Sequence, residues 1–122
     1  METVLIGVCT FQRPVMLTSC LESLARQSLP SDLDVSIVVI DNEAQPNNRV
    51  TVEKVAAQCR IPVHYIHQPQ RGIAISRNAI LEAAIDGGAD WVVMLDDDET
   101  AAPGWLASLM APERRDVPVL AG

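Results

Sequence analysis

The sequence predicts a doubly wound α/β domain with a mainly parallel sheet and helices on both faces. Three observations carry this reading. Short β-branched runs alternate with helix-length segments, three of the runs are apolar almost without a break, and the segments between them carry apolar residues at helical spacing. The runs are "TVLIGVCT" (residues 3–10), "DVSIVVID" (34–41), "VHYIH" (63–67), "WVVML" (91–95) and "VPVL" (117–120). The first, second and fourth lack polar alternation, as strands covered on both faces do.

The first helix is expected to begin at Pro14, whose missing N–H costs nothing in a first turn. It carries Leu17, Leu21 and Leu24 on one stripe and ends near Gln27. A second, about residues 50–59, presents Val52, Val55 and Ala56. A third, about residues 73–86, is expected to turn Ala74, Leu81 and Ile85 inward before Gly87 and Gly88 stop it. The polar loop "NEAQPNN" (42–48) is the nearest thing to a flexible stretch. Strand, helix, strand in repetition implies right-handed crossovers, so every strand ends at one edge of the sheet, where ligands of such folds bind. That rim holds Thr10, Asp41, His67 with Gln68, and Asp96 to Asp98.

With 122 residues, 48% of them hydrophobic, the chain has the size of one domain with one core, residues 1–122. Sixteen acids against nine bases give a net charge of -7, and the eight arginines and Lys54 are scattered. No broad basic surface is offered to nucleic acid or anionic lipid. Cys9, Cys20 and Cys59 lack CxxC spacing, and the first two fall at core positions, so all three read as reduced thiols of a cytoplasmic protein. No apolar run approaches the roughly 20 residues of a membrane span, and the start is unlike a signal peptide. The expectation is a soluble chain whose larger parent could lie against the inner face of the cell membrane.

The chemistry concentrates in "WVVMLDDDET", where an apolar strand breaks into four consecutive acids. Adjacent carboxylates repel, and a cluster of this kind closing a buried strand reads as a cation site, where one acid alone would read as a solvated turn. Hard cations such as Mg²⁺ and Mn²⁺ take oxygen ligands, one or two from protein carboxylates and the rest from water and phosphate. Asp96 and Asp98 form a DxD pair suited to that task. In "HQPQRGIAISRNAI", Arg71 and Gly72 precede the third helix and Arg77 stands about one turn in, so Arg77 could reach a diphosphate at the helix N-terminus. Asp41 ends its strand with a carboxylate able to accept an N–H from a nucleobase. His64 and His67 are expected on one side of their strand, but no further His or Cys stands at zinc spacing. Trp91, Trp105 and, taken alone, Phe11 read as packing residues.

Two other families share local features. "VVMLDDDET" fits the nucleophile motif of haloacid-dehalogenase-like phosphotransferases, but that motif opens its family's fold, and here only 22 residues, none a lysine, follow Thr100. A response-regulator receiver has the right length but needs an acidic pair after its first strand, where this chain has "CTFQRP".

Taken in order, "IGVCTFQRPVMLTSCLESLARQ", "IVVIDNE", "QPQRGIAISRNAILEA" and "VVMLDDDETAAPGWL" resemble the N-terminal, nucleotide-sugar-binding half of a family 2 glycosyltransferase with the GT-A fold. Within that family the chain is most similar to bacterial glucosyltransferases that build exopolysaccharides of the succinoglycan kind. The resemblance implies transfer of a hexosyl group, with inversion, from a nucleotide-sugar, uridine diphosphate favoured, to a saccharide or lipid-linked acceptor. It implies Thr10, Phe11 and Arg13 of the "TFQRP" turn beside the nucleotide, Asp41 at the base, and Arg71 and Arg77 near base or diphosphate. It implies Asp96 and Asp97 at ribose and sugar, and Asp98 with Asp96 on Mn²⁺ or Mg²⁺. "IDNE" departs from relatives that carry a second acid and "GS", which loosens the base preference. The catalytic base and the acceptor half are expected beyond Gly122. The reading from another class is a non-catalytic nucleotide-binding module that pairs with a second copy through the sheet edge at "VPVL".

Overall fold

A computed structural model describes residues 1–111. In chain order these form β1 (Glu2–Thr10), α1 (Pro14–Ala25), β2 (Leu33–Asp41), α2 (Arg49–Gln58), β3 (Val63–His67), α3 (Ile73–Asp86), β4 (Trp91–Asp96) and α4 (Trp105–Leu109). The strands make one parallel sheet in the order β3-β2-β1-β4. The strand expected at residues 117–120, and with it the expected pairing edge, lies outside the described residues.

The period of two explains the uninterrupted apolar runs. Val4, Ile6 and Val8 of β1, Val35, Ile37 and Val39 of β2, and Val93 and Leu95 of β4 turn to one face. There they meet Leu17, Leu21 and Leu24 of α1, Val52 of α2, and Leu106 and Leu109 of α4. Leu5, Val38 and Ile40, with Val92 and Met94, turn to the other face, beneath Ile80 and Ala84 of α3. At these positions both faces are covered by helices, so the runs stay apolar where a half-exposed strand would alternate. Trp91 and Trp105 pack at the margin of the first core.

The expected stripe of α3 is corrected. Ser76, Ile80 and Ala84 are its buried residues, whereas Ala74, Leu81 and Ile85 are exposed, Ile85 at 78%. This helix is apolar on nearly every face, so spacing alone does not select the inner one. Close approach does: a Cβ added to Gly7 would lie 2.5 Å from the Ile80 side chain, so the bare backbone of β1 is what lets Ile80 seat against the sheet. Alanines at 79, 83 and 84 allow the same short distance, and the larger Leu81 and Ile85 fall outward.

Two further expectations change. His64 and His67 lie on opposite faces, as strand residues three apart must: His64 stands with Ile66 on the α3 side, while Tyr65 and His67 reach Asp41 and Glu43. The loop at 42–48 is not loose. Glu43 is buried and accepts from the Gln12 N–H, from Asn47 Nδ2 and from Asn48 Nδ2, so the loop folds back over the end of β2. Sequence reading also gives no helix at α4. Its position is set by Gln27, buried at the end of α1, which donates to the Ala102 carbonyl at 2.6 Å and accepts the Leu106 N–H at 3.0 Å.

The three cysteines are free thiols. Burial pushes the Cys20 thiol from 9.0 up to about 12, with Asp97, Glu99 and the neighbouring acids adding to the rise. Burial likewise pushes Cys9 up to about 11, against an opposing pull from Arg77. Both folded values exceed the unfolded one, so the native chain holds these protons more tightly. That share of stability is complete below pH 9 and is lost as the pH rises through about 11 to 12. Denaturant titrations are expected to give a midpoint that begins to fall as the pH rises above 9. Cys20→Ala should flatten the fall, and an equally steep fall in that variant would contradict the assignment.

Candidate functional site

Strand order places the site. From β1 the sheet runs through β2 to β3 on one side, while β4 lies on the other, so the order reverses between β1 and β4. Open α/β sheets bind ligands outside the strand ends at such a reversal. A cavity of about 480 Å³ opens there, with the ends of β1 and β4 and the start of α3 around it.

The β1 wall is a strained turn. Gln12 has φ of 54°, uncommon outside glycine, and its N–H is held by the Glu43 carboxylate at 3.2 Å. This turn sends Phe11 and Arg13 to the cavity on either side of Gln12. Against this turn stand the acids after β4. Asp97 is buried, and its carboxylate accepts the Thr10 hydroxyl at 2.9 Å and an Arg13 N–H at 3.2 Å. The same Arg13 nitrogen lies 3.3 Å from an Asp98 oxygen. Thr10 and Arg13 thus fix Asp97 as the floor of the acidic turn, while Asp96 and Asp98 stay exposed at the rim. Glu99 bends back to accept the Asp96 N–H at 3.1 Å, which closes the turn.

The third wall is the start of α3. Asn42, just past β2, donates from Nδ2 to the Gln68 and Gln70 carbonyls, both at 2.8 Å, and accepts the Gly72 N–H at 3.1 Å. One amide therefore clamps the whole approach to α3. Gly72, at φ of 146°, adopts a backbone that side-chain-bearing residues rarely reach, and the helix begins with no side-chain cap. Arg71 lies over the Phe11 ring, 3.7 Å from its centroid, in cation–π contact. Arg77 lines the cavity one turn further in.

The cavity thus gathers Thr10, Phe11, Arg13, Arg71, Arg77, Asp96, Asp97 and Asp98, the expected site residues with one exception. Asp41 does not line it. Asp41 is fully buried and accepts the Asn48 N–H at 3.0 Å, the Asn48 Nδ2 at 3.1 Å and the Tyr65 hydroxyl at 2.6 Å. A buried carboxylate gathers whatever donors stand near it, and here these are protein groups. Burial and that hydrogen bond push the Tyr65 hydroxyl well above its ordinary pKa. His67 is likewise engaged, with Nε2 2.7 Å from the Glu43 carbonyl.

The donor set fits a hard divalent cation of the kind that completes its shell with phosphate. Asp96 and Asp98 present carboxylate oxygens to the cavity rim. No three His, Cys, Asp or Glu groups converge among the described residues to hold an ion unaided, and Mg²⁺ and Mn²⁺ sites of the substrate-assisted type need only one or two. Sequence reasoning missed Asn42 and Ser76 on the cavity wall. Asn42 follows a strand end, where its type commonly bonds nearby backbone, a signal the sequence carries faintly. Ser76 has no signal in one sequence.

The sequence matches Glycosyl transferase family 2 over residues 5–121. The chain belongs to this family. It is 37% identical over 109 residues to the succinoglycan biosynthesis protein ExoM of Rhizobium meliloti (strain 1021), a match covering 89% of this chain and 34% of that protein. The family 2 chain thus spans about a third of the length of this curated relative. Among solved structures it superposes on S. aureus TarS (residues 1–349, in complex with UDP) with a TM-score of 0.70 at 21% identity, over 88% of this chain and 30% of that one. It superposes on the mannosyltransferase PcManGT from Pyrobaculum calidifontis, in complex with GDP-Man and Mn²⁺, with a TM-score of 0.72 at 22% identity, over 89% and 32%. At these identities the likeness is one of fold, and the fold is the Rossmann-like part of GT-A.

Proposed function

We propose that the chain is the donor- and metal-binding half of an inverting hexosyltransferase that moves a sugar from a nucleoside diphosphate to a hydroxyl of a saccharide or lipid-linked acceptor. One observation carries this: at the reversal point of the sheet, the acidic turn braced by Thr10 and Arg13 faces the uncapped start of α3 with Arg71 and Arg77. Cation ligands and phosphate ligands thus line one cavity.

In the reaction the acceptor oxygen attacks the anomeric carbon as the bond to the β-phosphate oxygen breaks, and the acceptor proton passes to a base. We assign that base to no residue of this chain. Asp98 and Asp96 would hold Mn²⁺ or Mg²⁺, which when bound neutralises the departing diphosphate. Arg71, Arg77 and the free N–H groups of α3 bind and orient the phosphates. Phe11, under Arg71, offers a ring face to the base. Uridine diphosphate is the favoured nucleotide. Since Asp41 is committed to Asn48 and Tyr65, base choice falls to the Phe11 turn and the loop that Asn42 clamps. We place the protein in the cytoplasm, as its free thiols suit, and its product among exopolysaccharides.

Calorimetry decides the matter. The chain is expected to bind UDP, to bind it more tightly with Mn²⁺, and to bind GDP more weakly. If neither nucleotide gives a binding isotherm with or without Mn²⁺, the proposal is wrong.

A further inference from the structure

Among the buried side-chain polar atoms of the described residues, the Ser76 Oγ has no hydrogen-bond partner. Ser76 is 1% exposed, stands in the second half of the first turn of α3, and lines the cavity. A helical serine has a ready partner in the carbonyl four residues back, here that of Gly72. That carbonyl takes the Ser76 backbone N–H at 3.0 Å, and the hydroxyl does not join it. An orphaned buried hydroxyl is a cost to the folded state, and alanine, the better helix former, would remove it. In the ligand-free chain this serine therefore works against stability.

Its surroundings say what would satisfy it. The uncapped N–H groups of α3 and the guanidinium groups of Arg71 and Arg77 are all donors around the same wall. Asp97, the buried acid of the cavity, already accepts from Thr10 and Arg13. A serine hydroxyl can accept as well as donate, but none of these donors bonds it; an acceptor oxygen that they hold would meet its O–H, since rotation about one side-chain bond turns it without moving the backbone. We infer that the Ser76 hydroxyl donates a hydrogen bond to an acceptor oxygen of the nucleotide bound in this cavity, making Ser76 a further binding contact of the donor site. The inference rests on the donor reading above. Phosphate, ribose and pyrimidine carbonyl oxygens share this chemistry.

The test compares the wild-type chain with Ser76→Ala by thermal melts without ligand and by calorimetry with UDP and with uridine, all with Mn²⁺. The variant is expected to melt higher than wild type yet bind UDP about tenfold more weakly, the loss of one well-placed hydrogen bond. Opposite signs in the two measurements are what a purely structural serine would not produce. A matching loss for uridine puts the acceptor oxygen on the nucleoside; a loss for UDP alone puts it on the diphosphate. UDP affinity within twofold of wild type overturns the inference while leaving the donor reading intact. A lower melting temperature overturns it too, because the hydroxyl would then have a partner in the free chain. If the wild-type chain binds no UDP, the donor reading falls and this inference with it.

Discussion

Asp98→Ala is expected to abolish the Mn²⁺-dependent part of UDP binding and to leave folding stability almost unchanged. In the free chain Asp98 is half-exposed, and it pairs with Arg13 at 3.3 Å, an arginine that also serves Asp97. Surface pairs of this kind contribute about 0–1 kcal/mol, and removing one of four adjacent acids relieves repulsion that offsets even that. The melting temperature should therefore move by no more than about 2 °C, a change of about 0.5 kcal/mol. Loss of a metal ligand is a different matter. With Mn²⁺ present, UDP affinity should fall on the order of 100-fold, about 2.7 kcal/mol, whereas without metal it should hold or improve slightly as negative charge leaves the cavity. Calorimetry in Mn²⁺ and in chelator separates the two. An Asp98→Ala chain that still gains as much from Mn²⁺ as wild type would remove Asp98 from the metal site.

Asn42→Ala is the second large effect, and here stability and binding should fall together. The side chain makes three hydrogen bonds, to Gln68, Gln70 and Gly72, from a nearly buried position. At about 0.5–1.5 kcal/mol each, with a surcharge for backbone groups left unpaired, the loss should be about 3 kcal/mol. For a domain of this size that lowers the melting temperature by roughly 10 °C. The loop it clamps carries Arg71 and Gly72 into α3, so UDP should also bind about tenfold more weakly. Asn42→Asp keeps the acceptor for Gly72 but sets a carboxylate against two carbonyls, and it should rescue neither property. A melting temperature for Asn42→Ala within 2 °C of wild type would mean that the loop is held by other contacts.

These expectations rest on residues of unequal legibility. Asp96 to Asp98 were readable because four acids cannot end an apolar strand without a reason, and Arg77 because a basic residue early in a helix leans to its N-terminus. Thr10 was readable from the rim that chain connectivity predicts, Arg13 only through resemblance. What joins them, one hydroxyl and one guanidinium bracing Asp97 at 2.9 Å and 3.2 Å, spans more than 80 residues of chain, and no local pattern reports it. Asp41 shows the converse. Its type and place suited a base contact, but Asn48 and Tyr65 reach the carboxylate first, and competition among donors is decided only once the chain is folded.

The parallel strands, the helices between them and the rim where polar residues collect follow from the sequence alone, because hydrophobic period and chain connectivity are local properties. The inner face of α3, the place of β4 beside β1 and the resulting reversal of strand order do not. They depend on which surfaces pack most closely: Gly7 receives Ile80, and the β1–β4 gap, not the β1–β2 gap, becomes the cavity. Packing is a contest between whole faces, and its outcome is absent from any single stretch of residues.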